Sequence, residues 1–452
     1  MKFPTIATLF LAGAVFTCQA YNANDTTQTI SSDGSYLDTS LAVAYVQSKA
    51  QDGWVLTVGA PGGSYAWNNA LVINIPHVFT IRGADTNNRP TITVTCPSAP
   101  GIILDCVSNK TVTLRDFIFN EWQTANCLIN VVGNGVDCFR LTNLTFNHNA
   151  GNGACAWIGD NSYPATGDGP YGLIDHCEIS SSINGGYGFY VRDTFHSWLR
   201  PMTLGTRQAV YVENCSFHAA SCNTGSPAID GDNGARFVVR YCSLTNFSLA
   251  SHGAEALPTN SVLQWEVMHN IWTMTDGQGL AFAFLARGGT GVMFSNTFTA
   301  TGSGFYNTAF NMVYYRALAG GPDNPVPGAP NRFYPADYLG TQQPGCGVMI
   351  GTNSDPNFPS MPWASVPAYY WGSKISAPMF FAEAGGNPTN FVRLGRDFFM
   401  NTPAPGYSEY IYPHPLDTGG GGIGSSGTNT TTGTGAVIPP ADLQAHPPGT
   451  GN

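Results

Sequence analysis

The sequence predicts an all-β chain wound as a single-stranded, right-handed parallel β-helix. Three observations carry this reading. There is an internal repeat near 27 residues, the apolar pattern inside it requires a sharp bend, and the composition is poor in charge and rich in turn formers.

Seven segments align: Leu114–Phe119, Leu141–Phe146, Ile174–Ile179, Val212–Phe217, Val239–Leu244, Val267–Trp272 and Met293–Phe298. Their third residues are Asp116, Asn143, His176, Asn214, Tyr241, His269 and Ser295, spaced by 27, 33, 38, 27, 28 and 26 residues. Apolar side chains fall at positions 1, 4 and 6, with Asn270 and Asn296 the exceptions at position 4. A continuous strand alternates with period two, so positions 1 and 4 share a face only if the chain bends between them. Position 3 is the bend. Five of its seven residues are Asn, Asp or His, the non-glycine types most enriched at positive φ. The alignment also stacks Cys177, Cys215 and Cys242 in one inward row. Adjacent coils lie about 4.8 Å apart, within the Cα range of a disulfide. Free cysteine is equally at home in a core, so a reduced stack and a bridge both fit.

Charged residues make up 10% of the chain, against roughly 25% in ordinary soluble domains. With 53 Gly and 12% aromatics, the profile is neither disordered nor helical. Net charge is −10, and beyond Lys2 the only lysines are Lys49, Lys110 and Lys374. Nucleic acid is therefore not an expected partner, because phosphate binding needs a basic face. A polyanionic sugar would need a local cluster of arginines. Nothing in the sequence fixes the oligomeric state.

Residues 1–20 read as a secretory signal peptide: Lys2, an apolar run over residues 5–17, and Cys18-Gln19-Ala20 as the cleavage site. That run is too short to span a bilayer, and no other segment is apolar and long enough. Removing Cys18 from 11 cysteines leaves ten, an even number that permits disulfides in an exported protein.

The β-helix with its N-terminal cap is assigned to residues 21–319, its coils running from about Trp54 to about Arg316. Asp38–Ala50 has helical spacing at Leu41, Tyr45 and Val46, with Asp38 or Ser40 as N-cap. It is read as a helix covering the open end of the stack, where bare strand edges invite association. Residues 320–416 lose the repeat, are rich in Pro and aromatics, and are expected to pack along the coils as loops and short strands. Residues 417–452 are a Gly/Ser/Thr linker and a Pro-rich tail, expected to be disordered.

Three stretches carry a resemblance: SLAVAYVQSKAQDGWVLTVGAPGGSYAWNNALVI from Ser40 to Ile73, RGGTG from Arg287 to Gly291, and GYSEYIYPHPL from Gly406 to Leu416. Over residues 35–416 the chain resembles bacterial secreted right-handed parallel β-helix proteins of the pectate-lyase-like superfamily. The resemblance implies the fold, an extracellular or cell-surface location and extracellular polysaccharide as partner. It leaves the reaction open, since that superfamily holds lyases, hydrolases, epimerases, esterases and non-catalytic fibres.

An offset of about eleven residues from each bend marks a row on a neighbouring face. It holds Tyr187, Tyr190, Arg192, Asp230, Asp232, Glu255, Gln278 and Tyr306. Asp230 and Asp232 share a face if they lie on a strand, as a carboxylate pair for glycoside hydrolysis or for calcium. Asp-Gly-Asp-Asn-Gly is also strong turn chemistry. His252 could act as a general base or be a hydrogen-bonded turn residue. Arg236 and Arg287 could neutralise a uronate carboxylate, as could Arg192. Arg240 reads as a solvated or structural cation. Tyr187 and Tyr190 could stack on sugar rings or cap the core. No lysine lies in the central coils, which disfavours a lysine base. P-loop, Gly-x-Ser-x-Gly and zinc-type Cys/His spacings are absent.

The expected function is a lyase acting on uronate-containing glycan. Arg236 or Arg287 would neutralise the carboxylate, and His252 or a Tyr would take the proton. Asp230 and Asp232 would bind calcium or protonate the leaving group. A glycoside hydrolase and a non-catalytic glycan-binding rod are the alternatives.

Overall fold

The computed structural model describes residues 21–148, 153–159, 169–181, 188–193, 197, 200–220, 227–251, 262–275, 283–286, 288–300, 308–312, 346–349, 363–375, 380–382, 394–395 and 398–417. Residues 1–20, the tail beyond residue 417 and most of 320–397 lie outside them. Within them the chain forms a parallel β-helix-like stack of coils. The strands of the coils pair in parallel with those one coil later, so three strand files run side by side, while Asn22–Asn24 with Thr29–Ser32 and Cys346–Met349 with Trp363–Ser365 pair antiparallel. The first file includes Val210–Glu213, Arg236–Arg240 and Gln264–Met268. The second, just past the bend, includes Ser216–Ala219, Ser243–Thr245 and Ile271–Met274. The third includes Ala154–Ile158, Phe189–Arg192, Ile229–Asp232 and Leu249–Ser251.

The bend between the first two files is where the sequence pattern requires it. Asp116, Asn143, His176, Asn214, Tyr241, His269 and Ser295 all have φ between 52° and 66°. This left-handed turn directs positions 1, 4 and 6 inward together. Leu141, Ile174, Val212, Val239 and Val267 make one buried file, and Phe146, Ile179, Phe217, Leu244 and Trp272 another. Position 4 runs Cys177, Cys215, Cys242, Asn270, Asn296. The two asparagines accept the amides of the preceding coil, Cys242 N to Asn270 Oδ1 at 2.9 Å and Asn270 N to Asn296 Oδ1 at 3.0 Å. Cys177, Cys215 and Cys242 are buried free thiols, which removes the bridge reading for this row and leaves the reduced stack.

The coils extend past both expected ends. Thr29–Ser32 pairs in parallel with Trp54–Val58, ahead of the first expected coil. Ala368–Trp371 pairs with Thr290–Phe294, and Phe398–Met400 pairs with Ala368–Trp371 in turn. Their bend residue, Gly372 at φ 62°, follows Ser295 by 77 residues, which hides the repeat. The helix is Tyr36–Gln47, capped by Ser35 rather than Asp38 or Ser40. Asp38 instead accepts Asp33 N at 2.7 Å. Its buried face is Thr39, Ala42, Val43 and Val46, while Leu41 is exposed.

The segment 401–417 runs back along the outer side of the first file. Tyr407 donates to Glu266 (2.6 Å), Glu409 meets His269 (3.1 Å), and Asp417 meets Arg140 (2.7 Å). Arg240 points outward yet is fully buried beneath this strap. It gives Nε and Nη2 to Glu213 Oε1 (2.8 and 2.6 Å) and its remaining donors to the Tyr410 and Ile411 carbonyls (2.7 Å each). Its role is structural. Leu173, Tyr211, Val238, Met268 and Phe294 form an apolar strip on this outer face, against which Ala404, Tyr407, Tyr410 and Leu416 pack.

Three expectations follow. Alkylation of the unfolded chain without reductant should label Cys177, Cys215 and Cys242, as read by peptide mass spectrometry. Replacing Arg240 with Ala strands the buried Glu213 carboxylate, so urea denaturation should show a loss of about 3 kcal/mol or more. Burial raises Glu266 from 4.5 to about 7, against the hydrogen bonds from Tyr407 and Gly205 N and the nearby Arg240 charge; Glu409 adds to the rise. A raised carboxyl pKa stabilises the fold fully below pH 4.5, and the contribution is lost as pH rises to about 7. His414, pushed down to about 3 chiefly by burial and by Arg240, acts with the opposite sign. Glu266→Gln should therefore gain about 3 kcal/mol relative to wild type between these limits, measured as paired denaturation curves across pH.

Candidate functional site

On the third file, side chains alternate between the core and the outside. Phe189, Val191, Ile229 and Gly231 take the inward positions, which leaves Tyr190, Arg192, Asp230 and Asp232 on the outer side. Two outward columns result. One reads Trp157, Tyr190, Asp230 on successive coils, and the other reads Gly159, Arg192, Asp232. Gly159 has φ 92°, and a Cβ there would lie 2.1 Å from the Arg192 carbonyl, so no side chain fills that place.

Asp232 ties the grid together. Its Oδ2 accepts the Tyr190 hydroxyl at 2.8 Å and its Oδ1 accepts Arg192 Nε at 3.0 Å. The Arg192 guanidinium carbon lies 5.3 Å from the centroids of both the Trp157 and Tyr190 rings. Those rings are 5.5 Å apart. Asp230 and Asp232 are each 2% exposed, while Trp157, Tyr190 and Arg192 are half-buried. Burial, with the Asp232 and Asp230 charges, pushes the Tyr190 phenol far above its ordinary value. Tyr190 is therefore held protonated, donating to Asp232.

The two readings of Asp-Gly-Asp-Asn-Gly divide at Asp232. Ile229–Asp232 is a strand, and the turn follows at Asn233 (φ 50°) and Gly234 (φ 78°). Arg236 belongs to the first file, in register with Gln264. It is buried and gives its donors to Ser197 Oγ and O (3.2 and 3.3 Å), the Pro201 carbonyl (3.0 Å) and Thr203 Oγ1 (2.7 Å). That anchors the 197–203 segment and sets Arg236 on a different side from the carboxylates. Tyr187, His252, Glu255, Gln278, Arg287 and Tyr306 lie outside the described residues.

The outward row continues through Ala250 and Leu285. Counted from the bend, its members stand between nine (Tyr241 to Ala250) and sixteen (His269 to Leu285) residues on. A fixed offset of eleven thus fails because the connection length varies from coil to coil. Trp157 and Gly159 were missed for this reason. The available signal was that Ala156-Trp157-Ile158 is a strand of the same alternation.

Asp232 already carries two donors, one of them a cation, and calcium takes six to eight oxygens. The described residues here do not make a calcium site. Among the described residues, the group of three metal-ligating side chains within 4.8 Å is Asp175, His176 and Asp417. Arg140 pairs there with both carboxylates at 2.7 Å.

No family model matches the chain, and no curated protein matches it. A solved structure described as Geobacillus virus E2 – ORF18 is 12% identical with a TM-score of 0.29, over 61% of this chain and 56% of that one. The match thus spans little more than half of that protein, and a likeness this distant carries no argument about function.

Proposed function

We propose that the chain is a secreted, polysaccharide-active protein of the pectate-lyase-like kind, its coils right-handed and its first helix an end cap. It acts as a lyase on uronate-containing glycan at the grid of Trp157, Tyr190, Arg192, Asp230 and Asp232. One observation supports the reading most: a carboxylate pair, a guanidinium and two aromatic rings meet on the outer side of three successive coils.

In β-elimination the sugar carboxylate must be neutralised so that the adjacent C–H becomes acidic. Arg192 suits this better than Arg236, because its Nε alone is engaged by a described residue while every nitrogen of Arg236 is taken up by the 197–203 segment. A base then removes the proton, a role for Asp230 or for His252. The leaving oxygen takes a proton from Tyr190, whose phenol is protonated at neutral pH. Asp232 orients Tyr190 and Arg192 together. The same carboxylate pair would serve a hydrolase, with one acid and one base or nucleophile.

The test is a panel of acidic and neutral polysaccharides incubated with the mature chain. Unsaturated ends are followed by ultraviolet absorbance and reducing ends in parallel. Unsaturated ends from an acidic glycan are expected, and Asp232→Asn should lower the rate by about 100-fold or more. Reducing ends without absorbance would give the reaction to the hydrolase, and neither signal would leave a non-catalytic rod.

A further inference from the structure

The first file carries a second feature, near the N-terminal end and away from the grid. Its outward columns read Thr57, Arg82, Arg115, Thr142 and Val55, Thr80, Thr113, Arg140 on successive coils. Arg82 and Arg115 are register partners, so their backbones lie about 4.8 Å apart. Stacked like charges are unfavourable on a sheet unless something offsets them. In a chain with only 18 Lys and Arg among 452 residues, such a pair is a marked concentration of charge.

The described neighbours offset it only in part. Arg115 Nε pairs with Asp116 Oδ2 at 2.7 Å, and that buried carboxylate also accepts Asn143 Nδ2 at 2.7 Å. Arg82 is exposed, and its one described bond is from Nε to Thr57 Oγ1 at 3.2 Å. Asp85, on the nearby turn, accepts the amides of Asn87 and Asn88 at 2.7 Å each. Arg140, one coil on, is committed to Asp175 and Asp417. Of the two guanidiniums only Arg115 is thus paired with a described carboxylate, on a face that the strap covers only from Arg140 onward. The hydroxyls of Thr80 and Thr113 stand in the adjacent column.

We propose that Arg82 and Arg115, with Thr80 and Thr113, bind the oxyanion groups of an acidic polysaccharide at a site separate from the grid. Guanidinium forks match carboxylate and sulfate oxygens, and threonine hydroxyls add neutral donors. An extended nucleic acid is a poor fit, since the chain as a whole carries −10. The ligand class rests on the polysaccharide reading above, whereas the site itself does not depend on catalysis.

Affinity electrophoresis of the full chain tests this in gels containing polygalacturonate, dextran sulfate or neutral dextran. Retardation is expected with a charged polymer and not with dextran, and should weaken as salt rises. Arg82→Gln should lower the affinity by roughly tenfold, while Arg82→Lys, which keeps charge but not the fork, should fall between. Retardation by polygalacturonate alone assigns carboxylate, and by dextran sulfate alone assigns sulfate ester. No retardation by either, or equal retardation of wild type and Arg82→Gln, overturns the site. Arg82 touches none of the grid, so Arg82→Gln should keep any cleavage of short oligosaccharides. A chain that cleaves nothing yet is held through Arg82 sinks the lyase reading and leaves this site standing.

Discussion

Everything in this molecule depends on one left-handed residue per coil. Placing a non-glycine residue there costs of order 1–2 kcal/mol. Seven coils accept that cost at Asp116, Asn143, His176, Asn214, Tyr241, His269 and Ser295. The return is geometric: the bend turns positions 1, 4 and 6 into the core at once. Side chains at the bend also find partners along the stack. Asn143 donates to Asp116 one coil back at 2.7 Å, and Asn214 accepts Tyr412 from the strap at 2.8 Å. Inside, the asparagines just past the later bends satisfy amides that the turn removes from the strand ladder.

A stack of this kind is stabilised between nearest neighbours, so distant coils have little direct hold on one another. The strap changes that. Within residues 407–417 it touches side chains from Glu266 back to Arg140. Its anchor is the Arg240–Glu213 pair, a charge pair with no exposure, closed by two strap carbonyls. Apolar packing adds to this without direction, whereas the carbonyl bonds to Arg240 fix where along the stack the strap sits. A longitudinal staple of this type makes the coils between residues 140 and 294 cooperate through contacts that the repeat alone would not supply.

The bend, the inward files and the inward cysteine row were legible because they obey a local rule of six residues, whereas the reduced state of that row was not. That the end of residues 320–416 packs along the coils was expected, but the strap's individual partners were not legible, because they are up to 277 residues away and share no pattern with it. The last coils were hidden by an insertion between Ser295 and Gly372. The candidate site was legible in part. Asp230, Asp232, Tyr190 and Arg192 fell in the expected row, but Trp157 and Gly159 did not, since the chain reaches the third file by connections of unequal length. Arg236 shows the limit of proximity in sequence. It stands four residues from Asp232, yet the turn at Asn233 and Gly234 carries it onto another file.

That contrast bears on how chemistry can be assembled on stacked coils. A site here is read down a column, across residues 157, 190 and 230, and not along the strand. Each coil supplies one or two outward side chains, so a carboxylate pair, a cation and a ring need at least two coils in register, and the second ring, Trp157, comes from a third. Arg192 is placed to act because one edge of its guanidinium orients against Asp232 and the side chain is only half-buried. Arg236 has the same charge and more hydrogen bonds, and those bonds disqualify it: a buried guanidinium whose donors are all met would have to break them to reach a ligand. On the proposed reading, cations suited to bind are those that the fold leaves incompletely satisfied, and among the described residues that criterion points to Arg192 at the grid and Arg82 near the N-terminal end.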